Sequence, residues 1–292
     1  MWSKRKSMAK KILPGLVVLI MLSGCSGSDS DSSTGAVASP EASVPETPPA
    51  STLAITQVEL STAIDHVHGL VATDTDVVVA GTHSGARQVS RSGEVSAMGE
   101  QRDDLMGMTG EAGTQRLASS GHPGPGSPWP NPVGLITSGD GGTSWTPVSL
   151  QGEVDFHALA IDGERVVGYG SGPGLLVSQD SGETWQDGAQ IQPAALAISK
   201  DRVLATTQSG LQVSTDAGAS FSDVIGAPLL VFISAGTDTT VLGLDPDSKV
   251  WSSVDRGRTW TKVGAAPEAQ AVAAAANGGG YAVNQESLYV VQ

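Results

Sequence analysis

After Leu53 the apolar residues come in short runs, each followed by a polar turn rich in Gly, Asp and Ser. Runs of that length between turn signals predict β-strands. One stretch displays the unit clearly. Residues 157–161 predict an innermost strand, 162–164 a turn, 165–170 a second strand, 171–174 a loop and 175–178 a third strand. A polar turn of pattern Ser-x-Asp-x-Gly-x-Thr-Trp then runs from Ser178 to Trp185, and an outer strand starts at Thr184. The same turn recurs from Ser138 to Trp145, Ser214 to Phe221 and Ser253 to Trp260, so that Asp140, Asp180, Asp216 and Asp255 stand 40, 36 and 39 residues apart. A period near 40 with strand-like flanks predicts repeated four-stranded blades. The turn chemistry fits a hairpin: the aspartate accepts backbone N–H groups, the glycine takes a positive φ, and Trp145, Trp185, Phe221 or Trp260 packs over the turn.

Counting copies gives the architecture. Copy one begins at His68 and its turn has decayed to Ser90-Arg91-Ser92-Gly93. Copy two begins at Met106 and carries an insertion, 120–132, with five prolines. Copies three to five are regular, and the sixth supplies only three strands, within 270–275, 280–283 and 287–291. Residues 53–60 form a spare strand placed to become the missing outer strand of the last blade, which would leave no open edge. The expectation is an all-β protein: a β-propeller over 53–292 with six four-stranded blades, closed by its N-terminal strand. A seventh blade does not fit, because a repeat of about 40 residues uses the whole span six times over.

The N-terminal residues read differently. Lys4, Arg5, Lys6, Lys10 and Lys11 precede an apolar stretch, 12–22, which marks residues 1–24 as a signal peptide. Leu22-Ser23-Gly24-Cys25 resembles a bacterial lipobox, which implies lipidation of Cys25, the single cysteine of the chain. Residues 25–52, rich in Ser, Pro, Ala and acidic residues, predict a disordered tether. The expected location is the cell membrane, lipid-anchored and facing outside the cytoplasm. Without the signal segment, 11 Lys and Arg stand against 30 Asp and Glu, a net charge of −19. A chain this acidic does not bind nucleic acid by neutralising its backbone.

All five histidines, His66, His68, His83, His122 and His157, fall in the first three copies. Aligned on the repeat, His68, Met106 and His157 share one register at the start of the innermost strand. His66 stands two residues earlier, and His83 and His122 follow second strands. Inner strands start on the face to which the second-to-third-strand loops return, opposite the Asp turns. The histidines are therefore expected on one end of the ring, joined by Met106 or Met108. A single histidine there is ordinarily a solvated loop residue or a bonded core residue, but five of five on one face predict a binding site. Imidazole with thioether suits copper, and imidazole with carboxylate suits zinc or another divalent ion. The expected metal ligands are His66, His68, His83, Met106, His122 and His157, with copper the first choice and zinc the second. Asp65, Asp104 and Asp155 precede inner strands on the same end, where turn formation is the ordinary role of an aspartate. Asp104 and Asp155 are also the candidate catalytic carboxylates if the protein cleaves glycosides.

The repeated turns resemble the Asp boxes, or BNR repeats, of sialidases, sortilin-type receptors and photosystem assembly propellers. That resemblance implies that Asp140, Asp180, Asp216 and Asp255 are structural and lie away from any active site. Four further strings, at 66–70, 118–123, 134–142 and 155–159, resemble bacterial BNR-repeat lipoproteins of the glycosyl-hydrolase or exo-sialidase-like group. The likeness covers most of 53–292 and implies an origin in the sialidase superfamily. A sialidase needs three converging arginines and a tyrosine–glutamate pair. Here Arg256 and Arg258 lie in an Asp turn and Arg165 and Arg202 begin second strands at that same end; Tyr169 could reach the histidine face, but Tyr281 and Tyr289 fall in the incomplete last blade. Sialidase activity is therefore disfavoured. Three expectations remain: a ligand, copper foremost, on the His/Met face; a glycan-binding or glycoside-hydrolase-like protein; or a protein-assembly scaffold. The expected partners are a membrane through Cys25 and a metal ion, glycan or protein at the histidine face.

Overall fold

The computed structural model describes residues 53–292; Cys25, the signal segment and the tether lie outside the described residues. Six four-stranded antiparallel sheets follow one another, each running from an inner to an outer strand. The inner strands are Val67–Ala72, Thr109–Gly110, Ala158–Asp162, Ala195–Ser199, Phe232–Ala235 and Ala271–Ala274, in blades one to six. The protein is a six-bladed β-propeller.

Burial follows from blade stacking. In blade one, the inner and second strands are buried at ten of twelve positions, because both faces of each sheet are covered by neighbours. Such strands read as continuous apolar runs rather than alternations. Outer strands such as Gln186–Asp187 and Ser222–Asp223 are short, polar and exposed. Six apolar clusters sit one at each blade junction. One joins blades one and two through Val71, Val79, Leu105, Leu117 and Ile136. Another joins blade six to blade one through Tyr281, Leu288, Val67 and Leu70. The ring is closed by the strand Ile55–Glu59, which pairs antiparallel outside Ser287–Val291 from Ile55 opposite Val291 to Glu59 opposite Ser287.

The four Asp turns share one bonding pattern. In the third blade, Asp180 Oδ1 accepts the Thr184 N–H at 2.9 Å and Oδ2 accepts the Thr184 hydroxyl at 2.6 Å. The hub is the preceding serine. Ser178, 1% exposed, donates to Asp180 Oδ1 at 2.7 Å and accepts the buried Gly182 N–H at 2.8 Å. Ser138, Ser214 and Ser253 accept Gly142, Gly218 and Gly257 at the same 2.8 Å. Gly182 has φ 90° and Ser181 φ 61°, the left-handed conformations that let the turn reverse so tightly. Trp185 lies 5.1 Å from the Phe156 ring and donates to Ser149 Oγ of blade two, which ties adjacent blades together. The decayed turn of blade one keeps its serine: Ser90 Oγ accepts the Glu94 N–H at 3.1 Å.

Blade two departs from the repeat. Met106 does not open a regular inner strand, which is reduced to Thr109–Gly110. Asp104–Leu105 instead pairs with Gly121–His122 as a separate two-stranded ribbon, with Asp104 opposite His122. The proline-rich insertion causes this. It carries the chain past the end of the second strand, Leu117–Ser119, and Pro123 cannot continue a ladder, so the extra pairing stays short.

Candidate functional site at the channel mouth

A central cavity of about 310 Å³ runs between the inner strands, and His66, His68, Met106 and His157 line it. Glycines bring these residues close. A Cβ on Gly69 would stand 2.1 Å from the Met108 carbonyl oxygen, and one on Gly107 would stand 2.2 Å from that of Phe156. Blade one therefore packs backbone to backbone on the approach to blade two, and blade two on the approach to blade three. Both Met106 and Met108 line the cavity, and Met108, 6% exposed, also belongs to the apolar cluster between blades one and two.

The five histidines of the expected six-ligand set fall into two groups, each built around an aspartate, while Met106 lines the cavity. In the first, His68 comes from the inner strand of blade one, His83 from the loop after its second strand, and Asp104 from the ribbon of blade two. His68 Nε2 and His83 Nδ1 are 3.2 Å apart, His83 Nδ1 and Asp104 Oδ2 3.0 Å, and His68 Nε2 and Asp104 Oδ1 3.5 Å. Among the described residues this trio is the His/carboxylate group whose ligand atoms all lie within 4.8 Å of one another. The His66 ring stacks at its edge, 4.9 Å from His68 and 5.7 Å from His83. Burial pushes the His68 pKa down to about 4; Asp104 opposes this, while His83, His66 and His157 add to it. His68 is thus neutral at physiological pH, the form that ligates a metal.

In the second group, His122 Nε2 and His157 Nε2 approach the same oxygen, Asp155 Oδ2, at 3.4 and 3.1 Å. His122 Nδ1 lies 2.7 Å from Asn131 Oδ1, a residue of the insertion.

Two aspartates behave otherwise than their position suggests. Neither Asp104 nor Asp155 receives a backbone N–H, so they are not turn formers; they face histidines. Each keeps a buried Oδ1 without a hydrogen-bond partner. Asp65 stands apart, accepting the Ser84 hydroxyl, and Arg87 Nη2 donates to the same Ser84 at 2.9 Å. Asn131 and Arg87 escaped the sequence reading, since neither lies in the repeat register of the histidines. The one signal for Asn131 was its place in an insertion unique to one blade. At the opposite end of the ring, Arg202 donates to the Arg256 carbonyl and Arg256 pairs with Asp201 at 3.0 Å, as expected of arginines beside the Asp turns.

No protein-family model and no curated protein sequence matches the chain. Solved structures with this fold include a structural-genomics protein of unknown function from Bacteroides thetaiotaomicron, at TM-score 0.63 and 13% identity, covering 82% of this chain and 76% of that one. A gluconolactonase from Xanthomonas campestris aligns at TM-score 0.62 and 10% identity, over 80% of this chain and 88% of its own. YCF48 bound to D1 peptide aligns at TM-score 0.51 and 13% identity, over 81% and 96%. At these identities the likeness is one of fold, and it defines the class of the protein as a β-propeller.

Proposed function

We propose that this propeller is an exported, lipid-anchored metal-binding protein, held at the membrane through Cys25, whose channel mouth takes a divalent transition-metal ion on His68, His83 and Asp104. The observation that carries it is the donor triangle with sides of 3.2, 3.0 and 3.5 Å. Bonds of about 2.0–2.1 Å in tetrahedral geometry place ligand atoms about 3.4 Å apart, so the trio is set for one ion with a fourth position open. The charge balance supports the same reading. Among the described residues Asp104 has no Lys or Arg within salt-bridge distance, and with His68 neutral its charge lacks a fixed counter-charge. Copper is the ion of choice: divalent copper tops the affinity order for nitrogen and oxygen donors, and Met106 supplies a thioether on the same channel wall for the reduced ion. Zinc is second.

Calorimetric titration of copper(II) into the full chain, purified without a histidine tag, tests this. Binding at micromolar affinity or tighter is expected, and His68→Ala with His83→Ala should remove that site while the ring stays folded. Binding no tighter than millimolar would overturn it. A second reading, a peptide or protein contact at this face, is favoured by one observation, the fold shared with a peptide-bound propeller. It predicts a partner whose binding survives the double histidine change.

A further inference from the structure

We infer that the junction of blades two and three holds a second cation site, formed by His122, Asp155 and His157, of the same imidazole–carboxylate chemistry as the first. The inference rests on the proposal that the His68 trio binds an ion, and it adds a separate centre with its own ligands.

The second trio shares part of the arrangement of the first, one blade further round. In each, a histidine after a second strand meets an aspartate that precedes the inner strand of the following blade: His83 with Asp104, then His122 with Asp155. Each aspartate also meets a histidine at an inner-strand start, Asp104 that of the preceding blade, His68, and Asp155 that of its own blade, His157.

The polar contacts of these groups favour a cation between them. His122 Nδ1 lies 2.7 Å from Asn131 Oδ1, and Nε2 of the same ring lies 3.4 Å from Asp155 Oδ2. No basic side chain neutralises the carboxylate: among the described residues Asp155, 16% exposed, has no Lys or Arg within salt-bridge distance. Its Oδ1 is buried without a partner. A buried carboxylate in that position is costly unless a cation completes it. The bond from Asn131 also fixes the His122 ring, as outer hydrogen bonds to metal-bound histidines do. Unlike the first trio, these donor atoms do not all lie within 4.8 Å of one another. The imidazoles are 45% and 51% exposed, and His157 is free to turn onto an ion held between His122 and Asp155. The greater exposure makes this the weaker of the two sites.

Copper(II) titration of the full, tag-free chain tests the inference through stoichiometry. The wild type should bind two equivalents in two steps, the His68→Ala/His83→Ala variant one, and that variant carrying Asp155→Asn as well none. His122→Ala with His157→Ala, both at half-exposed positions, should by itself remove the weaker step, and it stands in if Asp155→Asn impairs folding. A wild type that binds one equivalent, lost with His68 and His83, overturns the second site and leaves the first intact. An equivalent that persists through both sets of changes overturns it too, by locating the ion elsewhere. Two equivalents in the His68→Ala/His83→Ala variant would instead remove the first site.

Discussion

At the scale of single residues, the serine of each Asp turn carries more buried bonding than the aspartate that gives the turn its signature. Ser178→Ala leaves the Gly182 N–H buried without an acceptor, which should cost about 1–3 kcal/mol, read from the midpoint of urea unfolding. The aspartates show their bonds through acidity. Asp180 is held down to about 2, first by the Thr184 hydroxyl and then by the Thr184 N–H. A carboxylate depressed on folding stabilises the protein above its unfolded pKa of 3.8, and that stability is lost as pH falls toward about 2. Thr184→Val should therefore move acid unfolding to higher pH. His68 acts in another window. Its pKa falls from 6.5 to about 4 on folding, so between those values the unfolded chain holds the extra proton. Stability of the metal-free protein should decline as pH drops through that range, and His68→Gln should flatten the decline in melts at successive pH values. An unchanged slope would mean that His68 is not buried as a neutral group.

At the scale of elements, the strand Ile55–Glu59 converts a three-stranded last blade into a complete one. Its apolar residues pack in turn: Ile55 joins the cluster shared by blades five and six, and Val58 the one shared by six and one. Deleting residues 53–60 removes a five-pair ladder and exposes the edge of Ser287–Val291. With each backbone bond worth about 0.5–1.5 kcal/mol net, the expected loss is about 3–5 kcal/mol, visible as a sharp drop in melting temperature. A melt unchanged by the deletion would show that the ring closes without it. The ribbon of Asp104–Leu105 with Gly121–His122 is the other element that matters, because it presents Asp104 to the histidines of blade one and His122 to Asp155.

At the scale of the whole molecule, the two ends of the ring divide the work. The Asp turns and the paired arginines occupy one end, and the histidines with their aspartates occupy the other, over three adjacent blades. Purified protein is expected to release no free sialic acid from a sialoside, since Arg165, Arg202 and Arg256 are engaged at the turn end with Asp162, the Arg256 carbonyl and Asp201. Sialic acid release that disappears on changing a residue of the histidine face would overturn this. Copper binding should in contrast be indifferent to Ser178→Ala wherever that variant stays folded, because the turn lies across the ring from the site.

The repeat was legible in the chain because a turn of this kind is a local device: serine, aspartate and glycine within five residues satisfy one another without help from elsewhere. Six copies of the repeat, intact, decayed or incomplete, then dictated the number of blades, and the missing outer strand of the last copy dictated what 53–60 must do. The histidine face was legible as a face for the same reason, since each histidine occupies a fixed station in the repeat. Which histidine meets which aspartate was not. Asp104 reaches His68 and His83 from the next blade, and Asp155 collects His122 across the following junction. Those pairings depend on how closely blades approach, set by Gly69 and Gly107, and on a ribbon that the insertion builds out of register. Local pattern determined the blades and their order; only packing between blades decided where charge and imidazole converge.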